Sequence, residues 1–498
     1  MRRYQRAFVI AVLLFVSTWG RAAQVRPGGG DHPDIRLFFQ TIARDDGPAD
    51  DALKQIAAKW RNGYAPIIWD LVRFFRPAPR QTAEPVFDRP PNPDDPFDRS
   101  AAVEPLNVES PNARVRRRLF RFLERQTGQR FGDDLDRWHQ WMWDLPYDPH
   151  PDYAVFKGRW YSEIDPRFGE FFPPDAPSVI RLDEIDWGGV AVNGIPPLEY
   201  PQHIQASAAR YLDDDHIVFG IALNGDARAY PKRILAWHEM ALDTLGGVEL
   251  TIVYCTLCGT VIPYESVVAG RHLKFGTSGL LYRSNKLMFD HQTKSLWNTF
   301  EGVPVVGALV GGRLKLRPHS VVTTTWGEWR RTHPETTALS LETGHKRDYS
   351  EGAAYRDYFA TDELMFPVSD TDDRLKNKEE VLTMLLEDPE RAGARRPLAI
   401  TARFLKRNRV FHTEVAGRRL VIITSEAGAN RVYEAGDVDF VRHLDDRRVS
   451  DRAGRRWRIT EEALALETDA AIQRRRVPAQ RAFWFGWYAQ FPDTELIK

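Results

Sequence analysis

The chain of 498 residues contains only two cysteines, Cys255 and Cys258. That scarcity excludes a disulfide framework and any four-cysteine metal centre formed within one chain. Charge of one sign is not in excess either, because 69 Lys and Arg balance 69 Asp and Glu. A dedicated nucleic-acid binder needs a basic surplus, so that class is excluded as well. Long hydrophobic runs are missing: no stretch reaches the ~20 apolar residues of a membrane-spanning helix. What is present is globular in character. Hydrophobic residues make up 43% of the chain, enough for a sizeable core and too many for general disorder. At roughly 100–200 residues per domain, the length allows about two to four domains.

Residues 1–23 place Arg2, Arg3 and Arg6 ahead of an apolar run, Ala7 to Val16, followed by small residues around Gly20, Ala22 and Ala23. This is the layout of a secretory signal peptide. The expectation is a periplasmic or secreted protein with no membrane span once the leader is removed. An uncleaved N-terminal anchor is the alternative. Export implies an oxidising setting for thiols.

Apolar spacing at Leu53, Ile56, Trp60, Leu71, Phe74 and Phe75 predicts a helical N-terminal region over 31–76, divided near Pro66. Residues 77–111 hold nine prolines and read as a linker. Helical periodicity returns in a lead-in over 112–175, at Leu119, Phe120, Leu123, Leu135, Trp138 and Met142. Beyond it, short β-type runs broken by Gly, Pro and Asp predict antiparallel sheet, with a helix at 232–245. The runs include 216–223, 248–254, 286–289 and 313–317. The expected fold class is α+β, predominantly antiparallel β.

Two segments look alike when offset by 170 residues, one beginning at Ile234 and the other at Phe404. Leu235 then falls on Leu405, Gly247 on Gly417, Leu250 on Leu420, and Ile252–Val253 on Ile422–Ile423. Downstream, Asp290 and Trp297 resemble Asp451 and Trp457. The pattern predicts two related β-rich units: 176–347, a connector at 348–375, and a degenerate copy over 376–498. Shared positions serve the scaffold, so positions that differ in chemical type mark the site. Cys255 faces Ser425, Cys258 faces Gly428, His238 faces Asn408 and Glu239 faces Arg409. The chemistry therefore concentrates in the first unit, around 238–297.

The run Tyr254-Cys255-Thr256-Leu257-Cys258-Gly259 ends a predicted strand. Two thiols three residues apart close a small disulfide ring that is readily reduced and reoxidised. Nucleophilic attack needs a thiolate, and His238 is the nearest imidazole in sequence. Thr260 to Tyr264 read as strand, which argues against a thioredoxin-type helix start. A second reading is a metal site of Cys255 and Cys258 completed by His238, His291 or a carboxylate, whose soft thiolate and imidazole donors suit copper or zinc. A third is an inert bridge, although closing so short a loop stabilises little. Glu239 would orient His238, while Arg283, Asn285 and Asp290 would line a substrate pocket beside the thiols.

Several stretches resemble the DUF3179 family: DWGGVAVNGIPPLEYP (186–201), GDARAYPKRILAWHEM (225–240), VYCTLCGT (253–260), FGTSGLLYRSNKLMFDHQTKSLW (275–297), DELMFPVSDTDDRL (362–375) and RAFWFGWYAQFPDTEL (481–496). The resemblance covers roughly 112–498. It implies a bacterial or archaeal protein, often exported, with no assigned activity. Some relatives are described as selenoproteins with selenocysteine near this motif, which favours a reactive thiol at Cys255 or Cys258. The sequence is therefore read as an exported thiol redox protein, a possible thiol oxidoreductase with an unknown redox partner or small-molecule substrate. The alternatives are a non-enzymatic copper- or zinc-binding protein and a cell-envelope module that binds glycan or protein.

Overall fold

The computed structural model describes residues 31–75, 111–391 and 394–498. The proposed signal peptide and nearly all of the proline-rich segment lie outside the described residues. Two compact units emerge, one up to Lys157 and the other Gly158–Lys498.

The first unit is helical. Asp46–Ala57 and Ala65–Val72 are separate helices, and Pro66 sits in the first turn of the second, where a missing N–H costs nothing. Pro111–Thr127 and Leu135–Asp144 follow. Trp138, Met142 and Trp143 are buried, so the Trp-rich helix serves packing. At the centre, the buried Asp70 carboxylate accepts from Tyr153 Oη at 2.7 Å and Lys157 Nζ at 3.2 Å.

The larger unit is built twice over from one pattern. Ile217–Leu223 and Asp226–Pro231 form a hairpin, followed by the short helix Lys232–His238 and the meander Met240–Leu245, Val248–Cys255, Thr260–Glu265. The second half repeats this order in Glu380–Glu387, Arg395–Thr401, the helix Ala402–Arg407, Val410–Val415, Arg418–Thr424 and Asn430–Glu434. The likeness extends to the closing elements. Val322–Thr325 pairs with the first hairpin and leads into the helix Trp326–Thr332, while Gln480–Phe483 pairs with the second and leads into Trp484–Gln490. Each helix is then locked to the strand that follows it: Trp329 Nε1 donates to Thr336 Oγ1 at 2.9 Å, and Trp487 Nε1 to Thr494 Oγ1 at 2.8 Å. Those final strands add in parallel to their hairpins.

Two local expectations are corrected. The helix begun at Lys232 ends at His238, because Glu239 takes φ 55° in the left-handed region. Residues 240–245 instead form a strand paired with 248–253, which supplies backbone partners that helix propensity could not outweigh. The stretch 313–317 is irregular and not a strand.

The two halves cover each other. Cys255, Leu257 and Cys258 share one hydrophobic cluster with Val381, Ala399, Ala482, Phe483, Trp484 and Trp487 of the second half. Conversely, Ala429 from the second half joins Val218, Val322, Trp326 and Trp329 of the first.

The Asp–Trp resemblance also has a structural basis. Trp297 Nε1 donates to Asp290 Oδ2 and Trp457 Nε1 to Asp451 Oδ2, both at 3.0 Å. Asp290 also accepts from Thr293 N at 2.6 Å and Thr293 Oγ1 at 2.8 Å. Its carboxylate is thus consumed by a turn and does not line a substrate pocket. Asp290→Ala leaves these buried donors unpaired and should destabilise the protein by roughly 2–4 kcal/mol, with Asp451→Ala costing a similar amount. Urea unfolding measures both. A neutral Asp290→Ala would contradict the scaffold role.

Candidate functional site

Cys255 is the last residue of its strand, and the turn Thr256–Gly259 carries the chain into the next. The turn lies far inside the unit: Cys255 is 2% exposed and Cys258 0%. Its carbonyls cannot be left to water. Tyr358 Oη donates to Leu257 O at 2.8 Å, and Phe483 N to Cys258 O at 2.7 Å. Gly259 has φ 61°, and a Cβ there would meet the Phe483 ring at 3.0 Å. Gly486 is the counterpart from above, where an added Cβ would stand 2.9 Å from Cys258 Cβ and Sγ. Only glycines let the helix Trp484–Gln490 and this turn approach so closely.

The two cysteines are 3.4 Å apart and unbonded. Burial pushes the Cys255 thiol up, but hydrogen bonds from the Cys258 thiol and the Lys286 backbone amide outweigh it and hold Cys255 below the ordinary thiol value. Cys258 moves the other way: burial, then the bond to Cys255 and its negative charge, push it well above that value. Its S–H has two acceptors in reach, Cys255 Sγ and Ser284 O, the latter at 3.5 Å. Asn285 Nδ2 donates to Cys258 Sγ at 3.4 Å. Arg283 and Ser284 adopt φ 49° and 59°, a tight hairpin turn that delivers the Ser284 carbonyl and the Asn285 amide to the sulfur.

Beside Cys255 is a cavity of about 50 Å³ lined by Glu239, Thr256, Lys286 and Tyr355, with Leu257, Leu280, Met365 and Phe366 among its apolar walls. Glu239 organises the polar side. Its Oε1 accepts from Thr256 Oγ1 and Tyr355 Oη, each at 2.7 Å, and its Oε2 lies 2.5 Å from Lys286 Nζ. Glu239 and Lys286 are both 5% exposed.

Among the residues expected here, Cys255, Cys258, Glu239 and Asn285 come together. His238 does not join them. Its Nδ1 faces Pro196 O at 2.9 Å and its Nε2 Tyr349 Oη at 2.6 Å. Glu239 therefore cannot orient His238. Neighbouring residues at the end of a helix project in different directions, and here the imidazole and the carboxylate part company. Arg283 is bound by the Glu184 carboxylate, donates to Ala489 O at 2.7 Å and lies 3.2 Å from Asp370, so it buttresses the turn and does not line the cavity. His291 packs against Phe289, ring centres 4.8 Å apart. Among the described residues no group of three or more His, Cys, Asp or Glu is gathered as metal donors, and neither imidazole is brought to the thiols.

Thr256, Lys286 and Tyr355 were not anticipated. Thr256 lies inside the cysteine motif and Lys286 inside NKLMFD, but nothing in spacing alone marks either. A larger cleft of about 570 Å³, lined by Tyr264, Glu301, Arg395 and Arg476, contains none of the anticipated residues.

His238 makes a separate prediction. Burial lowers its imidazole to about 4, with the Pro196 carbonyl partly opposing. An unfolded histidine titrates near ~6.5, so between these values the unfolded chain takes up a proton that the folded chain refuses. Stability therefore falls as pH drops through this window, by at most about 3 kcal/mol. Urea midpoints near pH ~7 and ~4.5 should show a smaller acid loss for His238→Asn than for the wild type. Equal losses would mean that His238 is not held neutral.

One family model matches the chain, over residues 192–494; its description reads protein of unknown function, DUF3179. No curated protein and no solved structure matches.

Proposed function

The chain belongs to the DUF3179 family, to which no activity is assigned, and we propose from its site that it is a thiol redox protein in which Cys255 attacks and Cys258 resolves. One observation carries the reading: two unbonded thiols 3.4 Å apart whose environments push their acidities in opposite directions. An attacking thiol must be available as thiolate, whereas a resolving thiol stays protonated until it is needed. Cys255 receives donors from Cys258 and the Lys286 amide, and it alone of the two lines the cavity. Closing the pair requires the sulfurs to approach to ~2 Å, which is a short movement from their present separation. Closing the disulfide transfers two electrons and two protons from the two thiols to the oxidant, and an external thiol donor restores the pair. The leader-like segment behind Arg2, Arg3 and Arg6 supports an exported setting.

The test uses intact-mass analysis after brief oxidation with methyl methanethiosulfonate, a thiol oxidant of a few non-hydrogen atoms. Wild type should lose two protons in mass without retaining a methylthio group. Cys258→Ser should trap one methylthio group at Cys255, and Cys255→Ser should react about tenfold more slowly or not at all. A Cys255→Ser variant that reacts as fast as Cys258→Ser would overturn the assignment of roles.

A further inference from the structure

The cavity restricts what can reach the attacking sulfur. The thiols are 2% and 0% exposed, so no protein disulfide can dock on them directly. The space beside Cys255 is about 50 Å³. A single water needs ~10–15 Å³ on the same measure, and pockets for drug-sized ligands run to ~300–1,000 Å³. Only a molecule of a few non-hydrogen atoms fits. Met365 and Phe366 both line the cavity, and Met365 is 40% exposed.

The polar wall limits the chemistry further. Thr256 and Tyr355 spend their hydroxyl protons on Glu239 Oε1. Lys286 has three N–H bonds and gives two of them to Glu239, one to Oε2 at 2.5 Å and a longer one to the backbone O at 3.4 Å. The ammonium therefore keeps donor capacity toward the cavity it lines. The same residue donates its backbone N–H to Cys255. One residue thus serves both the attacking sulfur and the space where a leaving group would depart. A small oxidant that accepts two electrons and needs its leaving oxygen protonated matches that arrangement.

Building on the redox reading above, we infer that the oxidant is a small hydroperoxide and that Lys286, held by Glu239, is the catalytic acid. The Cys255 thiolate attacks the terminal hydroxyl oxygen of R–O–O–H. An S–O bond forms, the O–O bond breaks, and R–O⁻ takes a proton from Lys286 and leaves as R–OH. Lys286 recovers the proton that Cys255 surrendered on becoming a thiolate. The Cys258 thiol then attacks the sulfenic acid, expelling water and closing the disulfide. Two molecules of a small external thiol reduce the disulfide, so each cycle consumes one hydroperoxide and two reducing thiols.

Stopped-flow oxidation of the prereduced full-length protein by hydrogen peroxide tests this, with methyl methanethiosulfonate as the control oxidant. The wild type should consume one equivalent of peroxide, lose both thiols, and react at least about a hundredfold faster than free cysteine. Lys286→Met would leave the buried Glu239 carboxylate without its cation and risks misfolding. The double variant Lys286→Met, Glu239→Gln removes both charges together and is the informative one. It should lose at least about tenfold of the peroxide rate while the thiosulfonate still closes its pair. Closure by the thiosulfonate with a peroxide rate no better than free cysteine overturns the hydroperoxide assignment and leaves the thiol redox reading standing. A pair that neither oxidant closes overturns both. An undiminished peroxide rate in the double variant removes Lys286 from the chemistry.

Discussion

Everything at the thiol site depends on one packing constraint: the turn of one half is sealed by the helix of the other. The cysteine turn is buried under Trp484–Gln490, with Gly486 directly against Cys258. The converse contact puts Ala429 beside Trp326 and Trp329. Neither half can present a complete core without the other. Burial of the thiols is therefore a consequence of how the repeats embrace, and it raises the cost of a thiolate unless donors are supplied. The Lys286 amide and the Cys258 thiol supply them to Cys255, while the Asn285 side chain donates to Cys258.

The two embraces have been filled with different chemistry. Where the first holds Cys255 and a glycine at 486, the second holds Ser425, whose hydroxyl donates to Glu328 at 2.6 Å. Glu328 is paired in turn with Arg431, and Arg431 with Glu461, and Glu328 and Arg431 are buried. Arg476 adds a second cation 3.6 Å from Glu461, so this position carries ion pairs where the first half carries a thiol. A buried ion-pair cluster of this kind is weak evidence of added stability. The second half supplies Ala482, Phe483, Trp484 and Trp487 to the cluster that packs around the sulfurs.

The repeat was legible in the sequence because it is written in the spacing of apolar residues and turn glycines, which follow the 170-residue offset through helix and meander alike. The contrast of Cys255 with Ser425 and of Glu239 with Arg409 singled out the turn that the structure buries between the halves. Three features were not legible. His238 was grouped with the cysteines because it is close in sequence, yet the left-handed turn at Glu239 sends the two side chains to different partners. Tyr355 reaches Glu239 from a segment read only as a connector. The Arg283–Glu184 pair joins residues far apart in the chain, and no local pattern could have announced it.

The central claim is that Cys255 and Cys258 form a reversible two-electron couple inside a folded, sealed site. Equilibrating the full-length protein across redox buffers of methanethiol and dimethyl disulfide, which are small enough for the cavity, with the thiol state read by alkylation and intact mass, tests it most directly. The account predicts one transition that fits a two-electron couple, with the fold unchanged on either side as judged by circular dichroism. Thiols that stay reduced across the whole range, or that oxidise only when the protein unfolds, would contradict it.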